Sequence, residues 1–176
     1  MDLEHNGLRL RNAVPEDAPI LTLWWNDGAV MAHAGFPRGL GLTEEMVENQ
    51  IRRDTDRDRR LLLLWRERPI GEMCYRLRDG GEAEIGVKIC EADCRERGLG
   101  RRALSMLIGA LFAMGCEQIV LDTMEENARA RHVYELLGFR FQGLLRDCWR
   151  DQEGRLRTAA AYSLRPEDFR DWSKEK

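Results

Sequence analysis

The chain has 176 residues, of which 43% are hydrophobic and 34% charged, with a formal net charge of −3. That is enough length and apolar content for one domain with a sizeable core; it excludes disorder, and the slight acidity argues against nucleic acid as a general partner. No stretch approaches the roughly 20 apolar residues that span a bilayer, and the opening Met1-Asp2-Leu3-Glu4-His5 lacks a basic-then-apolar signal, so no membrane and a cytoplasmic address are expected.

Leu8-Arg9-Leu10-Arg11 alternates as a half-buried strand does. Pro15 suits a first helical position, Ile20, Leu23 and Trp24 follow at helical spacing, and Gly28 is expected to stop that helix in the left-handed conformation. Residues 35–41, with three glycines, read as a loop, either a mobile surface segment or a wall for a substrate. Thr43 is placed to cap a second helix carrying Val47 and Ile51, and the mixed-sign run 52–60 reads as a solvated helix end and loop. Leu61 to Trp65 is an apolar run suited to a strand covered on both faces. Turns at Glu67-Arg68-Pro69 and Asp79-Gly80-Gly81 join it to strands over 70–77 and 82–90, an antiparallel meander.

The helix predicted over 99–114 buries Leu104, Leu107, Ile108 and Leu111, and Gly115 is placed to end it. The strand 118–123 must then run parallel to 82–90, because a helix connects them. Asn127 caps a further helix with Ala130, Val133, Tyr134 and Leu137 on one face and Gly138 at its end; strands 139–149 and 155–164 close the chain as a hairpin. No linker or repeat divides the chain, so residues 1–176 form one α/β domain. Five cysteines without a C-x-x-C pair, and histidines only at 5, 33 and 132, leave no metal site and point to reduced, core-filling thiols.

The segment Cys94-Arg95-Glu96-Arg97-Gly98-Leu99-Gly100-Arg101-Arg102 lies between a strand and a helix. Glycines let backbone N–H groups crowd inward, the helix start adds free donors and a positive dipole end, and guanidinium forks match phosphate oxygens. The segment is therefore a candidate phosphate cradle; the plain alternative is a loop with exposed arginines. It lacks the Gly-Lys-Ser/Thr pattern of a nucleotide loop.

Arg95-x-x-Gly98-x-Gly100, followed 27 residues after Gly100 by Asn127-x-x-Ala130-x-x-x-Tyr134 and then Gly138-Phe139, resembles the GNAT acetyltransferase superfamily. The resemblance covers nearly the whole chain. The Trp24-Trp25-Asn26-Asp27 segment is similar to the branch of ribosomal-protein N-terminal, aminoglycoside and spermidine acetyltransferases. It implies a three-layer fold, a mixed and mostly antiparallel sheet with helices on both faces, and acetyl-coenzyme A (acetyl-CoA) as acetyl donor. It places pyrophosphate at Arg95, Arg97, Gly98, Leu99, Gly100 and Arg101. The pantetheine arm would lie along the strand around Val87 and Ile89, where a backbone N–H polarises the thioester, and against Asn127, whose side chain serves equally as a cap.

By the same resemblance Tyr134 is the acid that protonates the departing thiolate; the alternative is a core tyrosine on a buried face. A phenol with a pKa near 10 keeps its proton at neutral pH. Glu84, fourteen residues before Gly98, matches the position of a catalytic base, with a sheet glutamate as the equal alternative and Glu72 as its rival. Attack is expected to be direct, in a ternary complex, since no serine or cysteine occupies a nucleophile motif. The acceptor is a primary amine, either a protein N-terminus or a polyamine or aminoglycoside drawn by Asp27, Glu44, Glu45, Glu48, Asp147 and Asp151. The first helix, the loop 35–41 and the last hairpin would wall it. A non-catalytic acyl-CoA-binding module is the competing reading, and homodimers are common in the branch.

Overall fold

The computed structural model describes residues 1–174. One eight-stranded sheet runs through the molecule: β1 (Asp2–His5), β2 (Leu8–Asn12), β3 (Asp58–Trp65), β4 (Arg68–Leu77), β5 (Glu82–Ile89), β6 (Gln118–Met124), β7 (Arg140–Arg150) and β8 (Leu156–Leu164). Its order is β1-β2-β3-β4-β5-β6-β8-β7. All neighbours are antiparallel except β5 and β6, as the intervening helix requires.

The helices are α1 (Ala18–Asn26), α2 (Gly28–Met31), α3 (Glu44–Ile51), α4 (Leu99–Ala113) and α5 (Ala128–Leu137). They divide between the two faces because the central strands are apolar on both. Leu61 and Leu63 of β3 join the core beneath α4 and α5, whereas Leu62 and Leu64 join Leu21, Trp24, Trp25, Val47 and Ile51 of α1 and α3. Leu104, Leu107, Ile108 and Leu111 are all at or below 1% exposure, each contributing about 1.5–3 kcal/mol of burial. The fold is the α/β, three-layer, mostly antiparallel arrangement expected. Among the described residues no helix is long and apolar enough to cross a membrane.

Three local expectations are corrected. An extra strand, β1, precedes β2; Asn6 and Gly7, at φ 48° and 74°, make the tight turn between them. The run 52–60 is loop only in part, since Asp58, Arg59 and Arg60 already pair with Arg76, Tyr75 and Cys74. The first helix ends at Asn26 as expected, but Gly28 is not its left-handed cap: it begins α2, where the Asp27 side chain accepts the Ala29 N–H at 2.8 Å. Glycine is needed there because a Cβ would lie 2.0 Å from the Pro37 carbonyl oxygen. The left-handed stop comes at Gly35, φ 88°.

Candidate active site

Pairing between β5 and β6 covers only Glu82, Ala83 and Glu84 against Gln118, Ile119 and Val120. Beyond that the two strands part, although β5 continues to Ile89 and β6 to Met124. The sheet therefore contains a wedge whose β5 edge, residues 85–89, is not paired with β6 and presents backbone groups suited to an extended ligand. Val87 and Ile89 both lie on this edge, partly buried against the core below α4.

The open end of β5 leads into the arginine-glycine turn. Gly98 takes φ 74° and begins α4 without a side-chain cap, so the first-turn N–H groups of Leu99 and Gly100 are left for a ligand. A Cβ on Gly100 would lie 3.4 Å from Ile89 Cγ1, so a larger residue would press on the wedge edge. The arginines divide the work. Arg95 donates from Nε to the Ile89 carbonyl (3.1 Å) and from Nη2 to the Cys90 carbonyl (2.9 Å), fastening the turn to β5. Arg97 is exposed. Arg101 stacks 4.0 Å over the Trp172 ring, and Arg102 is buried over Trp65. Of the expected guanidinium forks, Arg97 is thus exposed, Arg95 shapes the turn and Arg101 lies over Trp172.

On the opposite face a cavity of about 300 Å³ lies between β4–β5 and α1 with the segment after it. Trp25, Met31 and Leu40 form its apolar walls, Glu72, Lys88 and Arg60 are its charged groups, and Val87 borders it at the β5 edge. Glu72 and Lys88 are opposite each other on β4 and β5, and Lys88 Nζ donates to Glu72 Oε1 at 2.7 Å. Arg60 is ion-paired with Asp54, whose side chain is 3% exposed. Cys74 also lines the cavity; desolvation, with repulsion from Glu72, pushes its thiol up to about 11, and burial pushes Cys90 up to about 12. Neither is a nucleophilic thiolate at neutral pH.

The three pieces expected to wall an acceptor are physically joined. Leu40 N–H donates to the Trp25 carbonyl at 2.8 Å. Gln152, in the β7–β8 turn, accepts from Arg38 N–H (2.9 Å) and donates to the Gly39 carbonyl (2.9 Å), and its own N–H donates to Gly35 (2.8 Å). The loop 35–41 is therefore pinned. Asp151 is not a surface lure for a polycation: its side chain is 1% exposed and accepts from Glu153 N–H, Arg155 N–H and Arg157. Asp27 is a cap and Glu48 is paired with Arg52.

Tyr134 is 6% exposed, its ring packed against Phe139 and Tyr162. Burial first, then the charge of Asp122, pushes its phenol well above the ordinary range, so it stays protonated at any working pH. Asn127 caps α5, accepting from Ala130 N–H and donating to Thr123 Oγ1, both at 3.2 Å. Glu84 stands at the last paired position of the wedge, bound to Arg78 at 2.5 Å and facing Arg76 at 3.8 Å, and does not line the cavity. Across from it, Asp122 lies on the same sheet face; solvent reaches it, but the surrounding protein and then Glu84 push its carboxyl up. Sequence reasoning missed Lys88 and Met31, which belong to no motif, and it placed Trp25, Leu40 and Gln152 only through the segments expected to wall the acceptor.

The family model for the acetyltransferase (GNAT) domain matches residues 7–140. Among solved structures, RimL, the ribosomal L7/L12 alpha-N-protein acetyltransferase in complex with coenzyme A, superposes with a TM-score of 0.84 at 14% identity, over 94% of this chain and 98% of that one. A probable acetyltransferase gives 0.83 at 21% identity, over 96% and 99%. The ribosomal-protein-S5-alanine acetyltransferase of Vibrio fischeri gives 0.76 at 17% identity, over 97% and 99%. With the family match spanning most of its length, the chain belongs to the GNAT acetyltransferases, enzymes that take their acetyl group from acetyl-CoA.

Proposed function

We propose that the protein is an N-acetyltransferase whose acceptor is a single primary ammonium, the α-amine of a polypeptide, attacked by direct transfer in a ternary complex. One observation carries the reading: the edge of β5 not paired with β6 borders both the turn suited to phosphate and the cavity on the other face, through Val87 and Lys88. A donor laid in the wedge and an acceptor in the cavity would then meet across one strand. The wedge edge, the uncapped start of α4 and the exposed Arg97 fit the donor's amide arm and pyrophosphate.

The acceptor class follows from charge. The cavity offers one carboxylate, Glu72, against Lys88 and Arg60, which gives a polycation no attraction, whereas the apolar walls suit one small side chain beside an ammonium. Two of the structural neighbours, named for modifying ribosomal proteins, act on acceptors of this kind. Tyr134 supplies the proton to the leaving thiolate. We assign Glu84, locked between two arginines, to bracing the root of the wedge. The five free cysteines suit a reducing compartment such as the cytoplasm.

The test is thiol release from acetyl-CoA with tetrapeptides bearing free N-terminal Ala, Ser or Met, beside spermidine and kanamycin. Turnover is expected with peptides and not with the polycations. Measurable acetyl-CoA binding with no turnover of any amine would instead make the chain an acyl-CoA-binding module.

A further inference from the structure

Glu72 is the sole carboxylate among the residues lining the acceptor cavity, and it is 9% exposed. Its position is set by the meander: cross-strand pairing puts it opposite Lys88, one strand away from the wedge. Lys88 Nζ, 2.7 Å from Oε1, is its ion-pair partner. An ammonium on a flexible stem, one third exposed and held beside Glu72 in the cavity, has the same chemistry as the acceptor proposed above.

We propose that Glu72 receives the proton of the acceptor ammonium, and that Lys88 is a resident stand-in which the acceptor displaces. The inference rests on the reading of this cavity as the acceptor site. When the acceptor's ammonium replaces Lys88 at Oε1, Lys88 Nζ swings aside to water, which needs no backbone movement. Glu72 then takes one proton and leaves a neutral amine. The nitrogen lone pair forms the C–N bond to the thioester carbonyl carbon and the C–S bond breaks. A second proton passes from the nitrogen, and the sulfur is protonated by way of Tyr134, so that N-acetyl product, thiol and one released proton balance the reaction. Glu72 is the catalytic residue of this scheme and Lys88 a positioning one.

The two residues should then respond in opposite directions. With the best tetrapeptide of the panel, Glu72→Gln is expected to lower kcat by about 10²-fold or more, in the range of a lost general base, with acetyl-CoA affinity unchanged. Lys88→Met is expected to lower the peptide KM several-fold, because a competing ammonium is gone. Removing one partner of a buried pair costs stability, so thermal denaturation accompanies each assay. The neutral double variant Glu72→Gln/Lys88→Met separates fold from chemistry, and should fold normally while remaining as slow as Glu72→Gln alone. A purely structural ion pair would instead give parallel losses of melting temperature and activity in the single variants and recovery in the double variant; that pattern, or an active Glu72→Gln enzyme, overturns the inference alone. A wild-type protein inactive towards every amine sinks the acceptor reading and this inference with it.

Discussion

At Tyr134, packing and chemistry call on different atoms of one side chain. The ring is held between Phe139 and Tyr162, while the hydroxyl makes no hydrogen bond to a described residue and is therefore dispensable for stability. Tyr134→Phe should melt within a few degrees of wild type and bind acetyl-CoA normally, yet lose about 10²–10⁴ in kcat; a large drop in melting temperature with proportionate activity would reduce the residue to packing. Gly28→Ala should behave in the opposite way, losing stability through the clash with the Pro37 carbonyl while leaving the reacting groups untouched. Sequence made Tyr134 conspicuous through its spacing from Asn127 and Gly138, but it could not say what an arginine touches. Arg95 and Arg97 look alike in a motif, and only the fold shows that one grips carbonyls and the other is exposed.

At the scale of elements, the start of α4 is what the parted strands leave exposed. Gly100→Asp sets a carboxylate and a Cβ against Ile89 where an anion is to bind, so acetyl-CoA affinity should fall at least tenfold, about 1.4 kcal/mol, with the melting temperature little changed. Unaltered affinity, measured by calorimetry, would remove the phosphate cradle. The meander, the crossover and α4 were legible because periodicity and glycine turns mark them. The Asp79-Gly80-Gly81 turn even implies that Glu72 faces Lys88, since each is eight residues from Gly80. β1 was passed over although Asn6-Gly7 is a hairpin signal, and the onset of β3 was hidden because charged side chains sit comfortably on a solvated strand end. Where two strands stop pairing is a property of the whole sheet, which no local pattern encodes.

Across the whole molecule, the proposed acceptor wall depends on contacts between distant parts of the chain. Desolvation raises the Asp151 carboxyl, but Arg155 N–H, Arg157 and Glu153 N–H outweigh it and hold it below the usual carboxylate range. A lowered folded-state pKa means that its stabilisation is complete above the unfolded value, near 3.9, and is lost as pH falls through the folded one. The β7–β8 turn and the loop it pins should therefore withstand mild acid and loosen only in strong acid, seen as a change in Trp149 fluorescence with the other tryptophans replaced by Phe. Asp151→Asn should reproduce that loosening at pH 7, raising the peptide KM while leaving acetyl-CoA affinity as it was.

Gln152 reaches back across 114 residues to Arg38, and β8 lies between β6 and β7. On a ribosome, the arginine-glycine turn and α4 emerge well before residue 152, so a nascent chain can possess that turn before Gln152 is there to pin the loop 35–41.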